Sequence, residues 1–350
     1  MKILVTGGCG FIGSTLVKYL LENTDHIIIN VDKLSYASSV ESLNNVKNCG
    51  RYFFEKIDIC DTDSLERVFR QHFPESVIHL AAESHVDRSI DDPLTFIKNN
   101  INGTAGLLEV VRKYLNGIHE NVLKKFRLHH VSTDEVYGSL GETGLFNEAS
   151  AYRPNSPYAA SKASSDHLVR AWCTTYDMPV LITNSSNNYG PYQYPEKLIP
   201  LMILNALEGK ELPVYGDGKN VRDWIYVEDH VRAIYQVFEN GDIGSTYNIG
   251  AKSELTNTQI VMLICELLQE LKPEGNKLYK SLIKYVSDRP GHDKRYALDT
   301  NKINKELAWK PSYTIEDGLR NTVIWYLENR QWCLNVMKNK YSRERLGLLK

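Results

Sequence analysis

Nowhere does the 350-residue sequence carry a CxxC pair, an internal repeat or a low-complexity tract. Its six cysteines (Cys9, Cys49, Cys60, Cys173, Cys265 and Cys333) are scattered, and a chain this long needs no disulfide staples, so reduced thiols are expected. An excess of charge is also missing: the formal net charge is -2, which gives no pull toward nucleic acid or a membrane surface. No stretch approaches the ~18 consecutive apolar residues of a membrane span, and MKILVTGG lacks the longer apolar core of a secretory signal. These absences leave a cytoplasmic protein with a small-molecule partner as the expectation, with no metal site implied.

What is present is an ordinary globular balance, 42% hydrophobic and 24% charged residues, in a chain longer than one typical domain. Short apolar runs rich in β-branched residues (KILVT, HIIINVD, SVIHLAA, FRLHHVST) read as strands. Between them FIGSTLVKYLLEN, TDSLERVFRQHF and NNINGTAGLLEVVRKYL have helical spacing. Strand and helix alternate as in a Rossmann-type, doubly wound parallel α/β sheet. After Asn188 the chain turns rich in Pro, Gly, Tyr and charge, as loops that carry binding groups do. Strand-like WIYV and TYNIG and helical TNTQIVMLICELLQEL and IEDGLRNTVIWYLEN follow, so two lobes interleave in sequence. The expected division is a dinucleotide lobe of residues 1–186 with roughly 223–250, and a smaller substrate-binding lobe of 187–222 and 251–350. The last thirteen residues, KNKYSRERLGLLK, read as a polar, partly ordered tail.

Gly7, Gly10 and Gly13 form GxxGxxG between the first strand and first helix, where missing side chains let backbone N–H groups approach a pyrophosphate. Glycines also end strands, so the next strand matters. Asp32 closes HIIINVD about 20 residues further on, where a carboxylate accepts both adenosine ribose hydroxyls and repels a 2′-phosphate. NAD is therefore expected over NADP, although the neighbouring cation of Lys33 would tolerate a phosphate there. Asp58 and Ile59, and then Leu80, Ala81 and Ala82, end two further apolar runs and are placed to flank the cofactor; ordinary packing explains the alanines equally well.

Tyr158 and Lys162 form YxxxK at the start of a helix, and a spacing of four puts both on one face. A tyrosine near pKa 10 is a poor base at neutral pH, and a nearby ammonium is the physical means of activating it. Upstream, VSTDEVYG sets Ser132 and Thr133 at the close of a strand and then two adjacent carboxylates, Asp134 and Glu135. Adjacent strand residues face opposite ways, so both acids reach one substrate only if the strand ends there. Paired carboxyls can split an elimination between them, one protonated to donate and one ionised to accept. A solvated acidic turn that caps a helix is the plainer alternative.

The motifs GGCGFIG, NVDKLSYA, HLAAESHVDRS, VSTDEVYG, SPYAASKASSDHLV, NSSNNYGPYQYPEKLIP, LPVYGDGKNVRDWIYVEDH and DRPGHDKRYALD together span nearly the whole chain. With them the sequence resembles the extended short-chain dehydrogenase/reductase family, and within it the nucleotide-sugar 4,6-dehydratases of bacterial deoxysugar pathways. The resemblance implies a homodimer that acts on dTDP-glucose with NAD. Tyr158 would take the 4-hydroxyl proton as hydride leaves C4, Glu135 the C5 proton, and Asp134 would protonate the departing C6 hydroxyl before the hydride returns to C6. Thr133 would bond the 4-hydroxyl region, Lys162 the nicotinamide ribose, and Ser84 both ligands. Further cofactor positions implied are Phe11, Ile12, Lys33, Leu34, Ser35, Asn99 and Asn188. For the nucleotide-sugar the matching positions are Asn187, Lys197, Leu198, Pro213, Tyr215, Arg222, Asn257, Arg289 and His292, with Glu196 and Tyr296 beside them. Guanidinium forks suit a diphosphate, and a tyrosine or proline suits a pyrimidine ring. Cys9 stands where the family usually has alanine and Asn99 where threonine is common; neither removes a catalytic group.

Three other readings fit part of this pattern. A nucleotide-sugar 4-epimerase shares the Tyr and Lys but usually lacks the paired acids, and a decarboxylase usually has serine at position 134. A catalytically silent NAD sensor would need none of the Thr133, Asp134, Glu135, Tyr158 and Lys162 set.

Overall fold

A computed structural model describes residues 1–276 and 278–347. Its strands are β1 (Lys2–Thr6), β2 (Ile27–Val31), β3 (Tyr52–Glu55), β4 (Ser76–His79), β5 (Leu128–Thr133), β6 (Val180–Ser185), β7 (Asn187–Tyr189), β8 (Leu212–Tyr215), β9 (Val221–Tyr226), β10 (Thr246–Ile249), β11 (Glu254–Thr256) and β12 (Ile283–Val286). Seven of them form one sheet in the order β10-β6-β5-β4-β1-β2-β3, every neighbouring pair parallel. Parallel strands bury both faces, which is why β4 and β10 are buried throughout and β1 and β2 nearly so.

Chain order reverses between β1 and β4, and in a doubly wound sheet ligands bind where it does, beyond the carboxyl ends of the strands. Helix Phe11–Asn23 packs on one face with Val227, Val231, Ile234 and Phe238 of helix Val227–Asn240. Helices Thr62–His72 and Gly103–Leu115 cover the other face over Leu4, Ile29 and Val77. The segment read from sequence as one helix, residues 99–115, is helical only in part. Residues Ile97–Asn102 form a π turn, and the regular helix starts at Gly103. Such turns cluster at functional sites because the extra residue re-aims side chains.

The smaller lobe carries β7, β9 and β11 as one small sheet and β8 with β12 as another, backed by helices Leu198–Leu207, Asn257–Leu271 and Ile315–Glu328. Ile303, Leu307 and Trp309 lie within the stretch expected for this lobe, yet they pack with Leu181, Tyr247 and Ile249 of the large sheet. The C-terminal tail expected to be partly ordered is docked over its described part: Tyr341 is buried, Arg343 bonds Glu208 and the Gly347 N–H donates to Asp91 at 3.0 Å. Residues 348–350 of that tail lie outside the described residues. No helix among the described residues is long and apolar enough to cross a membrane.

Leu107 is fully buried in the face that joins helix Gly103–Leu115 to the sheet. Leu107→Ala should cost about 2–5 kcal/mol through the lost contacts and the cavity left behind. Chemical denaturation reads this as a lower midpoint at unchanged slope; an unchanged midpoint would show that this helix is not part of the core.

Candidate active site

One cleft at the carboxyl ends of β1, β2, β4, β5 and β6 is lined by the glycine loop, Asp32, Asp58, the Leu80–Ser84 segment, Thr133, Asp134, Glu135, Tyr158 and Lys162. The glycine loop forms because no side chain fits. Gly7 has φ +73°, and a Cβ on Gly13 would stand 2.1 Å from the Gly7 carbonyl oxygen. The N-terminus of helix Phe11–Asn23 therefore opens on the cleft with Gly10 as its cap, and no side chain there competes for the free N–H groups. Asp32 is buried at the end of β2, where its Oδ2 accepts from the Cys9 N–H at 2.9 Å and its Oδ1 from the Leu34 N–H at 2.8 Å. These residues fit a dinucleotide: a bare N-terminus for phosphates and a carboxylate fixed one strand away.

Lys33, the one cation that would favour a 2′-phosphate, donates to Asn99 Oδ1 at 2.7 Å and lies 3.6 Å from both Asp58 and Glu83. Its charge is committed to acids. Burial pushes the Cys9 thiol up to about 12, so no thiolate forms in the loop at neutral pH. Leu34 does not line the cleft; it packs against the hydrophobic cluster formed by β1, β2 and the first helix, and its N–H turns to Asp32. Phe11, Ile12, Ser35, Asp58, Ile59, Leu80, Ala81, Ala82, Ser84, Asn99 and Asn188 all do line it.

β5 ends at Thr133, and residues Asp134–Tyr137 form a 3₁₀ turn whose cap is the Thr133 hydroxyl, accepting from the Glu135 N–H at 3.3 Å. The tight turn rotates both carboxyls into the cleft, which a continuing strand would forbid. Asp134 is 1% exposed and its Oδ2 has no partner in the protein. Burial, reinforced by the charges of Glu135 and Asp223, raises the Asp134 carboxyl well above its usual range. Glu135 is also raised by burial, but Arg289, Arg222 and Lys197 pull the other way. Two adjacent acids are thereby driven apart, one held protonated and one beside three cations.

Helix Pro157–Tyr176 starts under a Ser156 cap, and its inner face presents Tyr158, Lys162 and Asp166 at successive turns. The Lys162 ammonium donates to the Val131 carbonyl at 3.0 Å and lies 3.4 Å from His130 Nε2, rather than bonding the phenol. Burial lowers its pKa to about 8, with the Asp166 charge opposing. Asp166 in turn meets His130 at 3.1 Å and accepts from the Tyr152 hydroxyl at 2.9 Å. The phenol of Tyr158 is held protonated by burial and by the Glu135 charge, and Thr133 lies within hydrogen-bonding reach of it. No spacing in the sequence marked this Lys162–His130–Asp166 chain, because His130 comes from β5 and meets the two helix residues only through packing. Asn100 escaped notice for the same reason: it accepts from the Glu83 N–H at 2.8 Å and donates to Ser161 at 2.8 Å, tying the loop after β4 to the Tyr158 helix.

The residues expected to hold a nucleotide-sugar divide into two groups. Asn187, Glu196 and Lys197 line the same cleft, whereas Leu198, Pro213, Tyr215, Arg222, Asn257, Arg289, His292 and Tyr296 do not. Lys197 donates to the Ser84 carbonyl at 2.6 Å, and the buried Asn187 Oδ1 has no partner. Both Glu196 oxygens are already engaged, by Arg88 Nε at 2.7 Å and the Tyr36 hydroxyl at 2.7 Å. Arg222 donates to the Val221 and Asp293 carbonyls and lies 4.3 Å over the Tyr296 ring, whose hydroxyl donates to Asp293. His292 meets Asp288 at 2.6 Å, and burial, with the nearby Arg289 and Arg222, lowers its pKa to about 4. Leu198 and Asn257 are the first residues of their helices, while Pro213 and Tyr215 share one face of β8.

The family model for GDP-mannose 4,6 dehydratase matches residues 4–322. The chain belongs to that family. It is 58% identical over 350 residues to the dTDP-glucose 4,6-dehydratase of Neisseria meningitidis, covering 99% of both chains, and 56% identical to dTDP-glucose 4,6-dehydratase 1 of Escherichia coli K12, covering 98% of this chain and 97% of the relative. Among solved structures, the dTDP-glucose 4,6-dehydratase DesIV of Streptomyces venezuelae, with NAD and TYD bound, is 44% identical with a TM-score of 0.88, over 96% of this chain and 100% of its own. The UDP-glucose 4-epimerase of Thermotoga maritima, with UDP-glucose, superposes with a TM-score of 0.82 at 33% identity, over 94% of this chain and 100% of its own. The same fold is thus found in solved structures of both names, so the fold by itself does not separate the two activities.

The raised Asp134 carboxyl has a thermodynamic sign. A proton held more tightly in the folded than in the unfolded chain costs no stability below the ordinary value of 3.8, and destabilises the fold progressively as pH rises above it. Asp134→Asn removes that cost. Its thermal midpoint should exceed that of the unaltered protein at pH 7 and converge with it near about pH 4. Equal differences at both pH values would show that the carboxyl is not held protonated.

Proposed function

We propose that the chain is a dTDP-glucose 4,6-dehydratase with NAD as its resident cofactor, a lyase that removes water from the hexose. The observation that carries this reading is the Asp134–Glu135 pair, set by one turn into the cleft that holds Tyr158 and Lys162 and driven apart in charge by its surroundings. The names of the relatives support the nucleotide and sugar. An epimerase, which removes no water, has no use for a carboxyl kept protonated at the cleft floor.

When bound, NAD supplies the oxidation at C4 and the matching reduction at C6. Gly7, Gly10 and the helix N-terminus would hold its pyrophosphate, and Asp32 would take the adenosine ribose hydroxyls. Tyr158 would remove the proton of the sugar 4-hydroxyl as its phenolate, which the Lys162 ammonium on the same helix face and the positive nicotinamide of bound NAD would have to favour against the burial and the Glu135 charge that hold the phenol protonated. A ketone at C4 acidifies the C5 hydrogen, which Glu135 removes, while Asp134 gives its proton to the departing C6 hydroxyl, and water leaves. Glu135 then returns its proton to C5. At the end Tyr158 has gained one proton and Asp134 has lost one. Thr133, within reach of the phenol and 3.3 Å from Asp134 Oδ1, is the hydroxyl that stands between them to restore the starting state.

The proposal divides the chain as the sequence suggested: residues 1–186 with roughly 223–250 hold NAD, and 187–222 with 251–350 hold the nucleotide-sugar. Arg222 and Arg289 would serve the diphosphate, and Pro213, Tyr215 and Asn257 the base. It also carries a cytoplasmic homodimer, supported by the prevalence of two-fold assemblies among oligomeric enzymes.

Incubated with dTDP-glucose, the purified protein should yield a 4-keto product lighter by one water, with no net reduced cofactor, and should turn over UDP-glucose more slowly. Tyr158→Phe should lower kcat by about 100- to 10,000-fold. Glu135→Gln should stop after oxidation and accumulate reduced cofactor, seen by its absorbance. Inversion at C4 without loss of water would replace the dehydratase with an epimerase.

A further inference from the structure

We infer that Asp87 is a positioning residue for the nucleotide-sugar: it sits on the NAD-side lobe and presets Arg289 and Tyr215 of the other lobe for the diphosphate and base. The inference rests on the dehydratase reading and adds to it a residue that touches neither ligand. Asp87 lies in the first turn of the short helix Val86–Asp91, four residues past the cleft-lining Glu83, and is 5% exposed. Its Oδ1 accepts from Arg289 Nη1 at 2.7 Å and its Oδ2 from the Tyr215 hydroxyl at 3.0 Å. One carboxylate therefore holds two side chains that arrive from β8 and from the loop after β12.

The geometry leaves Arg289 prepared for an anion. Its Nε is buried and has no partner among the described residues, so Asp87 occupies one corner of the guanidinium fork while a donor remains free. A phosphate accepts from such a fork in a charge-assisted, often bidentate manner. Arg289 also bears on Glu135, whose ionised form it favours. Without Asp87 the long side chain would be free to settle on the Glu135 carboxylate, where its donors would be lost to the diphosphate. An arginine held in its bound rotamer before the ligand arrives spares the ordering cost at binding. Tyr215 is fixed from two further sides: the Arg345 guanidinium lies 4.9 Å over its ring and His292 stands edge-on at 6.3 Å. The carboxylate is itself boxed in, since a Cβ at Gly347 would lie 2.9 Å from Asp87 Cβ.

The test is Asp87→Ala in the full-length holoenzyme, with steady-state kinetics on dTDP-glucose, calorimetric binding of dTDP and of NAD, and thermal unfolding. The expected result is a rise of roughly tenfold or more in KM and in the dTDP dissociation constant, with kcat within about threefold and NAD affinity unchanged. Asp87→Asn keeps one acceptor and should recover part of the loss. Asp87→Ala combined with Arg289→Gln should cost less than the sum of the two single changes, because they share the Asp87–Arg289 contact and only the Tyr215 bond is left to lose. An unchanged KM, an additive double variant, or parallel losses of NAD affinity and thermal midpoint would overturn the inference. Should Asp87→Ala fail to fold, Tyr215→Phe removes one of the two Asp87 hydrogen bonds and must raise KM in the same direction. If the unaltered protein makes no 4-keto product, the dehydratase reading falls; if it does and Asp87→Ala matches it, only the positioning role falls.

Discussion

The arrangement of the site depends on β5 stopping at Thr133. Parallel pairing with β4 and β6 holds the strand in register up to Thr133↔Ser185, and the next four residues then coil into a 3₁₀ turn. Had the strand run one residue further, period-two alternation would have sent Asp134 and Glu135 to opposite faces. Instead both enter one cleft, beside a tyrosine delivered by the helix that packs against the same strand. The seven-stranded sheet is what makes this stop reliable, since its buried strands leave little freedom for a slip.

Burial then does with two like carboxyls what composition cannot. Asp134 is enclosed with a like charge on its neighbour and another on Asp223, so it keeps its proton. Glu135 is raised by burial as well, but Arg289, Arg222 and Lys197 act against it, where Arg222 is the one cation acting on Asp134. The contrast between the two acids therefore comes from charges that other elements bring in, Asp223 against the first and three cations beside the second. Asp87 also joins Arg289 and Tyr215 to the short helix that follows β4.

Much was legible in the sequence for a physical reason. Gly7, Gly13 and Asp32 work through backbone geometry that only certain residue types permit, and β1, the first helix and β2 are contiguous, so local pattern carries the information. YxxxK is likewise a single helix face. The break in the helix at Ile97–Asn102 was invisible, because a π turn has no composition of its own and is stabilised here by what Asn99 and Asn100 reach. The Lys162–His130–Asp166 chain and the engagement of Glu196 by Arg88 and Tyr36 join residues 30 to 160 positions apart in sequence or span several elements.

By itself the sequence determined the alternation of strand and helix, the bare glycine loop, the acid at the end of β2 and the helical spacing of Tyr158 and Lys162, because each is set by contacts within a few residues or within one strand–helix unit. The tertiary structure decided which of two adjacent acids keeps its proton, where the charge of Lys33 is spent, and which side chains hold Arg289 and Tyr215. Those outcomes depend on burial and on charges brought together across lobes, and no local pattern encodes the distance between residues such as Asp87 and Arg289.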